Sequence, residues 1–284
     1  MNIAQPKYNS LPKAFLTVFL AALFSLVALG SGYCVNYGDG ARCPKGLYLA
    51  VYPSWYKADK TTDENGHAAK KHYGMDKYSL SIKPVYYGDD FVVLASIPIG
   101  KTGVGYYNDS DAGIGDILLG AGYFLPVKNI NILPLFSVKF PTGHFNRNSS
   151  VNFGDGQYDF RSEVFINKPF GRFCLDLAFR YWHRFKNSAS NFKPGNEFYA
   201  EGVATYRLIK KFRLGPSVIF CRGADPELDE VTVANSDIKR VSVGAEFVCG
   251  LSEHVQLILD VLPDVYAENT TKGLLVKGRV VYAF

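Results

Sequence analysis

Charged side chains that recur at every second position of otherwise apolar segments are the part of this sequence best suited to chemistry. In residues 158–166, Asp159, Arg161 and Glu163 alternate with apolar residues. This period of two is typical of a β-strand with one polar and one apolar face. Rows of carboxylates and guanidinium groups on neighbouring strands can form ion pairs or can line a water-filled passage.

In a membrane barrel, the charged faces of these segments must point inward. An Arg or Lys turned toward lipid costs about 2–4 kcal/mol at the bilayer midplane. Two interpretations stay open for the inward set: the charges pair and stiffen a narrow barrel, or they line a polar channel. The candidate lumen-lining residues are Asp116, Asp159, Arg161, Glu163, Asp176, Arg180, Glu197, Glu201, Arg207, Arg240, Glu246, Asp260, Lys277 and Arg279.

Residues 274–284 show the same alternation at the end of the sequence. Phe284 and Tyr282 belong to a wholly apolar face, whereas Arg279 and Lys277 lie on the other. Such a strand needs a partner and apolar surroundings, and a closed transmembrane barrel supplies both. The ending also resembles the signal by which the barrel-assembly machinery recognises bacterial outer-membrane proteins, with its usual glycine displaced by one position. A core strand of a soluble domain is the alternative.

The N-terminal residues predict export from the cytoplasm. Lys7 and Lys13 precede an apolar run over residues 14–29, which is typical of a secretory signal peptide over residues 1–30, with cleavage after 30 or 32. A transmembrane anchor is the alternative. Removal of residues 1–30 lowers the formal charge from +5 to +3. This mild excess, together with export, argues against a nucleic-acid partner.

Composition and spacing predict an all-β protein. The chain has 284 residues with 21 Phe and 19 Tyr, and its mean hydropathy of −0.02 is expected where alternate residues cancel in any window. We predict a periplasmic lead-in over residues 31–45 and a single antiparallel transmembrane barrel of about twelve strands over residues 46–284. The predicted strands are residues 46–58, 77–88, 91–100, 112–125, 130–141, 158–166, 172–185, 196–208, 212–221, 238–249, 254–262 and 274–284.

Long polar loops alternate with short turns between these segments. With the N-terminus in the periplasm, every short turn falls on the periplasmic side and every long loop outside, as in bacterial barrels. The predicted outer loops are residues 59–74, 101–111, 142–157, 186–194, 223–237 and 263–272.

The five cysteines predict no metal site. Cys34 and Cys43 flank a Gly-rich stretch and could close a small loop in an oxidising compartment, or could stay unpaired. Cys174, Cys221 and Cys249 lie in strand-like segments, where cysteine is usually a small apolar filler. Without zinc spacing or a cofactor motif, we predict neither a metal nor a cofactor.

A lipid-modifying enzyme is an alternative for a barrel of this size. Such an enzyme needs a serine and a histidine close together near a rim. The local candidates are His183 with Ser188, and His144 with Ser149 or Ser150. Neither pair lies in a nucleophile motif, so we predict no enzyme activity.

Four short motifs occur in the order in which one known family carries them. They are AGIGDILLG at residues 112–120, FPTG at 140–143, PGNEF at 194–198 and LGP at 214–216. The chain thereby resembles the SphA-like outer-membrane transporters, the family named for the MetA pathway of phenol degradation. The resemblance covers residues 44–284 and implies an outer-membrane barrel that acts as a channel or transporter. It implies no catalytic residues.

We therefore expect a channel in the outer membrane of a Gram-negative bacterium, for passive uptake of small solutes, hydrophobic or aromatic ones included. Its expected partners are outer-membrane lipid, the solute, and the barrel-assembly machinery through the strand that ends at Phe284. A lipid-modifying enzyme, or a structural or adhesive barrel that acts through its loops, is the alternative. A plugged lumen would favour the structural or adhesive barrel.

Overall fold

The computed structural model describes residues 35–284, so the predicted signal peptide and Cys34 lie outside the described residues. Apart from one 3-10 turn at Gly105–Tyr107, the regular elements are strands. They are β1 Gly46–Thr62, β2 Ala68–Tyr87, β3 Phe91–Val104, β4 Asp109–Ile114, β5 Ile117–Tyr123, β6 Asn131–Phe140, β7 Asp159–Phe170, β8 Phe173–Arg184, β9 Phe192–Lys193, β10 Glu197–Ile209, β11 Phe212–Gly223, β12 Glu227–Leu228, β13 Val231–Thr232, β14 Ile238–Gly250, β15 Val255–Glu268 and β16 Thr271–Ala283. No helix within residues 35–284 is long and apolar enough to cross a bilayer.

The large sheet closes on itself as an antiparallel barrel of twelve strands. Each strand pairs with its neighbours in the chain, and β1 pairs with both β2 and the final strand β16. Segments β4 and β5 count as one interrupted strand, because β3 pairs with β5 through its first half and with β4 through its second half. The prediction of a single barrel of about twelve antiparallel strands is confirmed.

The two ends of the barrel differ in their connections. One end, called the turn end below, carries the short connections 88–90, 124–130, 171–172, 210–211 and 251–254, and β1 begins there. The opposite end, called the loop end, carries connections 141–158, 185–196 and 224–237 together with three shorter ones. The short strands β9, β12 and β13 form a small separate sheet at the loop end.

Three of the six predicted long loops are wrong. The structure replaces loops 59–74, 101–111 and 263–272 by strand extensions, leaving connections 63–67, 105–108 and 269–270. Strands outside the lipid can carry polar side chains on both faces, so the loss of apolar alternation does not end the backbone ladder. Strand β1 continues to Thr62 and β15 to Glu268 for this reason.

The alternation of side chains sorts the barrel into two surfaces. On the outer surface Phe179 and Val243 are 41% and 44% exposed, whereas on the inner surface Asp176 and Glu246 are fully buried. Clusters of aromatic rings lie at both ends of the outer surface, among them Phe170–Phe173–Tyr206 at the turn end and Phe160–Phe185 at the loop end. An apolar band between two aromatic girdles is the surface that a bilayer requires.

An arginine on the outer surface should therefore destabilise the barrel. We expect Val243→Arg, near the middle of β14, to lower the free energy of unfolding in lipid vesicles by about 2–4 kcal/mol. Equilibrium urea titration followed by tryptophan fluorescence measures this. Leu228→Arg in the loop-end sheet is the matched control, because Leu228 is similarly exposed but lies outside the apolar band. Equal losses in the two variants would contradict the assignment of the outer surface.

Candidate functional site

The structure places the fourteen sequence-predicted lumen residues on the inner side of the barrel wall or at its rim. Eleven are buried, and Glu197 and Arg240 are half-buried. Arg207 is exposed, because it lies opposite Arg213 close to the turn at 210–211, and so belongs to the rim of the turn end. Asp116 lies in the break between β4 and β5 rather than within a strand.

A network of ion pairs covers the wall formed by β7, β8 and β10. The Arg180 Nε atom lies 2.6 Å from Glu163, and the same guanidinium contacts Glu201 on the next strand. Arg161 Nε lies 2.7 Å from the other Glu163 oxygen. Arg184 joins the network through Glu197 at 2.9 Å. These groups neutralise one another across adjacent strands, as the interpretation of a stiffened wall requires.

The segment from Val35 to Cys43 folds back into the barrel from the turn end, and we call it the plug. Val35 and Asn36 are fully buried. Two successive turns shape the plug, with Asp39 N–H donating to the Asn36 carbonyl and Ala41 N–H donating to the Gly38 carbonyl, both at 3.0 Å. Gly38 has a φ of +80°, a conformation that favours glycine over other residues.

Hydrogen bonds from the plug go to three buried carboxylates of the barrel. The Asn36 side-chain amide donates to Glu246 at 2.7 Å and also to Asp260, and these two carboxylates face each other on β14 and β15. The Tyr37 N–H donates to Glu246 at 3.0 Å, and the Gly38 N–H donates to Asp176 at 3.0 Å. The plug thus supplies uncharged donors to three carboxylates, two of which, Glu246 and Asp260, would otherwise repel each other.

One cation on β16 holds the other side of the plug. Arg279 forms an ion pair with Asp39 and donates a hydrogen bond of 2.7 Å to the Tyr37 carbonyl. The Tyr37 ring itself lies under the Arg213 guanidinium, 4.5 Å from ring centroid to Cζ. Gly40 fits closely against the wall, since a Cβ atom there would lie 3.1 Å from the Phe165 Cβ. The plug is therefore docked by charge, hydrogen bonds and shape.

The residues that the sequence could not place are those of the plug. Its Asn, Gly and Asp residues are a turn signal and predict a periplasmic lead-in, but they leave open whether this segment enters the lumen. Their partners Glu246 and Asp260 lie more than two hundred residues away, and no local pattern links such distant positions.

Beside the plug, the lumen contains a cavity of about 370 Å³. One side of the cavity is apolar and includes Val92, Leu94 and Leu133, whereas the other side carries the arginine network. The lining extends from Tyr87 near the turn end to Asp155 near the loop end, and it includes Asp39 of the plug. The volume lies within the range of about 300–1,000 Å³ that is usual for small-molecule sites.

The barrel wall is incomplete beside this cavity. Strand β4 pairs only with β3 within the described chain, since β6 ends at Phe140, opposite Ile117. The connection 141–158 covers the free side of β4. The Asp109 carboxylate accepts hydrogen bonds from Ser149 Oγ at 2.7 Å and from Ser150 N–H at 2.9 Å.

Asp116 anchors both ends of the same connection. One of its carboxylate oxygens accepts from Gly143 N–H at 2.9 Å and the other from Asp155 N–H at 2.8 Å. The Asp155 carboxylate in turn contacts Lys139 and lies 3.1 Å from Arg184. Side chains therefore close this part of the wall where the backbone ladder is missing.

The two serine–histidine candidates do not come together. Ser149 Oγ donates to Asp109 and to the Val151 carbonyl, whereas His144 lies 3.4 Å from Asp111. His183 packs edge-to-face on Phe185. Within residues 35–284, no Ser–His hydrogen bond joins either candidate pair, and no group of three His, Cys, Asp or Glu could hold a metal. The predicted Cys34–Cys43 pairing stays a prediction, because Cys34 lies outside the described residues.

The closed barrel, its apolar outer band and its charged interior define the class of outer-membrane β-barrels. The chain belongs to the family described as "Putative MetA-pathway of phenol degradation", whose model matches residues 66–279. This match confirms the resemblance carried by the four sequence motifs.

Solved structures agree with the fold. The COG4313 outer membrane channel from Pseudomonas putida F1 is similar over 88% of this chain and 100% of its own, with 18% identity and a TM-score of 0.78. The translocator domain of the autotransporter NalP from Neisseria meningitidis is similar over 96% of this chain and 97% of its own, with 13% identity and a TM-score of 0.53. A comparison with curated proteins gives no significant match.

Docking of the plug should depend on the donors of Asn36. We expect Asn36→Asp, which places a third carboxylate beside Glu246 and Asp260, to release the plug and to speed trypsin cleavage at Arg42 roughly tenfold or more. Cleavage is followed by mass spectrometry of the detergent-solubilised protein.

The exposed Asn65→Asp variant is the matched control and should be cut at the original rate. Adding Asp260→Asn to Asn36→Asp should restore protection. A folded Asn36→Asp variant that is cleaved no faster than the original protein would contradict this account of the plug.

The contribution of Asp155 to docking of the connection 141–158 should be lost only in strong acid. Burial alone would raise the pKa of the Asp155 carboxyl, but attraction to Lys139 and Arg184 lowers it from 3.8 to about 2. Because the folded state has the lower pKa, the carboxylate stabilises docking fully above pH 4, and this contribution is lost as the pH falls toward 2. Hydrogen exchange of residues 142–157, corrected for intrinsic rates, measures it.

The variant Asp155→Asn removes the titrating group and should abolish most of this pH dependence. A connection whose protection declines already between pH 7 and pH 5 would show that another group controls docking.

Proposed function

We propose that this protein is an outer-membrane channel that admits small solutes by passive diffusion and that the plug closes at rest. The observation that carries the proposal is the cavity of about 370 Å³ inside the barrel, whose wall includes Asp39 of the plug. The loop end then faces the exterior and the turn end the periplasm, in keeping with the usual placement of long loops. Membership of a family named for a phenol-degradation pathway, and the likeness to a channel at the level of fold, support the proposal.

Opening in this proposal is displacement of the plug rather than rearrangement of the wall. The arginine network joins β7, β8 and β10 by multiple cross-strand pairs in addition to their backbone ladders, whereas the plug has no ladder and is held by two ion pairs, Asp39–Arg279 and Arg42–Asp90, and by hydrogen bonds. The plug is the weaker part, so a solute or a partner that competes for its contacts opens the path at the smallest free-energy cost.

A structural or adhesive barrel that acts through its loops is the second candidate, and the docked plug favours it. That function needs no path through the lumen, and the small sheet β9–β12–β13 gives the loop end an ordered surface. The two candidates differ in one measurable property, which is the conductance after the plug has been released.

Planar-bilayer recording tests the channel. We expect small or rare conductance steps from the original protein, and larger, longer steps after deletion of residues 35–43, because the lumen then opens at the turn end. Silence of the deletion variant, with folding verified by heat-dependent migration in SDS gels, would exclude the channel and favour the structural barrel.

A disulfide that fixes the plug to the barrel wall and can be reduced gives a second test. In a chain whose own cysteines are replaced by alanine, Gly40→Cys with Phe165→Cys places two Cβ atoms close enough for a disulfide after a shift of a few tenths of an ångström. The oxidised protein should be silent and the reduced protein should conduct. Equal conductance in both states would contradict displacement of the plug.

A further inference from the structure

We propose that the cavity beside the plug binds amphipathic organic anions, meaning small carboxylates with an aromatic or aliphatic body. The inference names the solute class of the proposed channel and so rests on that function. Its basis is the charge, the polar partners and the apolar area of the cavity wall.

The cavity wall carries more positive than negative side chains. Eight Lys and Arg line the cavity against five Asp and Glu. Carboxylates behind the cavity wall balance part of this excess, since Asp159, Glu201 and Asp264 lie within 4 Å of lining cations. A lining cation that has no carboxylate partner would attract an anion into the cavity.

Each of the five lining carboxylates has a partner. Asp39 pairs with Arg279, and Glu163 pairs with Arg161 and Arg180. Asp155 pairs with Lys139 and Arg184, and Glu197 is bound by Arg184 and Tyr199. Asp116 accepts hydrogen bonds from two backbone N–H groups and lies 3.7 Å from Lys139. None of them is left over to neutralise a further cation.

Two lysines on the inner face of β2 are not in this network. Within the described chain, no carboxylate lies within 4 Å of Lys77 or Lys83. Their amines instead lie over aromatic rings, with Lys83 Nζ 4.5 Å from the centroid of Tyr52 and Lys77 Nζ 5.8 Å from that of Phe153. Six residues along the strand separate the Cα atoms of the two lysines by roughly 20 Å. They therefore mark an outer and an inner position along the lumen.

Small hydroxyl side chains fill the wall between the two lysines. Ser54, Ser79, Ser81 and Ser96 line the cavity there. Ser81 and Ser96 hydrogen-bond each other at 2.7 Å, but Ser79 is 98% buried and its hydroxyl lacks a hydrogen-bond partner among the described residues. A buried polar group without a partner costs free energy, and a carboxylate oxygen in the cavity would supply one. Small side chains also leave the space that a solute would occupy.

Aliphatic side chains of β2 and the neighbouring strands provide an apolar surface for the body of the solute. Val85, Val92, Leu94, Leu118 and Leu135 line the same cavity from β2, β3, β5 and β6. A carboxylate with an aromatic or short aliphatic body would satisfy both sides at once, with its oxygens toward the lysine and serine groups and its body against the aliphatic wall. A neutral solute would gain only the apolar contact, and a cation would be repelled.

Calorimetry with benzoate, benzyl alcohol and benzylamine tests the inference on the full-length protein in a non-ionic detergent. The three probes share a ring and differ in charge. We expect benzoate to bind at least roughly tenfold more tightly than benzyl alcohol, and benzylamine to bind most weakly. Equal binding of benzoate and benzyl alcohol would overturn the assignment.

Variants then locate the anion. The double variant Lys77→Met with Lys83→Met should weaken benzoate binding several-fold and leave benzyl alcohol unchanged, and the single variant with the larger effect identifies the position of the anion. Lys83→Arg should retain the preference for benzoate. Lys128→Met in the turn 124–130 is the control and should bind as the original protein does, because Lys128 is exposed outside the lumen. Unchanged benzoate binding in Lys77→Met and Lys83→Met together would overturn the site.

The outcome is separable from that of the proposed function, because binding in detergent requires no conduction. A silent deletion variant that still prefers benzoate would reject the channel and keep the site. A conducting variant whose reversal potential in a KCl gradient shows no anion selectivity, and which binds the three probes equally, would reject the site and keep the channel.

Discussion

The rest of this structure depends on one constraint: within hydrocarbon, each backbone N–H and C=O must find its partner inside the protein. Strand β16 satisfies it by pairing with β1, with Leu49 opposite Tyr282 and Ser54 opposite Lys277. Closure then fixes which side chains face lipid, because successive residues point to opposite surfaces. The apolar outer band and the charged lumen follow from that single requirement.

Charged side chains inside the barrel must be neutralised or hydrogen-bonded, and the wall meets this second requirement in two ways. On β7, β8 and β10 the carboxylates and guanidinium groups neutralise one another directly. On β14 and β15, Glu246 and Asp260 lie opposite each other, and the amide of Asn36 comes between them. One part of the lumen is therefore rigid because its strands pair with one another, whereas the other part depends on a separate segment. This difference is the physical basis for treating the plug as the movable part.

The sequence predicted much of the barrel wall and little of the plug's position. Alternation in residues 158–166, 172–185 and 196–208 located the strands and the inward charges, because period two is a local property that a closed wall forces on the chain. The polar extensions of β1, β2 and β15 were mistaken for loops, since outside the lipid nothing in the side chains distinguishes strand from loop. The plug could not be placed, because its binding partners come from strands far along the chain. The break between β4 and β5 at Asp116 could not be predicted either, because there hydrogen bonds from the connection 141–158 replace backbone pairing with a strand.

The contacts of the plug also set an order of events during assembly. Asn36, Tyr37 and Asp39 precede the first strand, yet their partners Glu246, Asp260 and Arg279 belong to the last three strands, 209 to 240 residues away. These partners come together only once β14, β15 and β16 are in register. The plug can therefore complete its contacts only after the wall has closed, so the first described residues of the chain are among the last to reach their final positions.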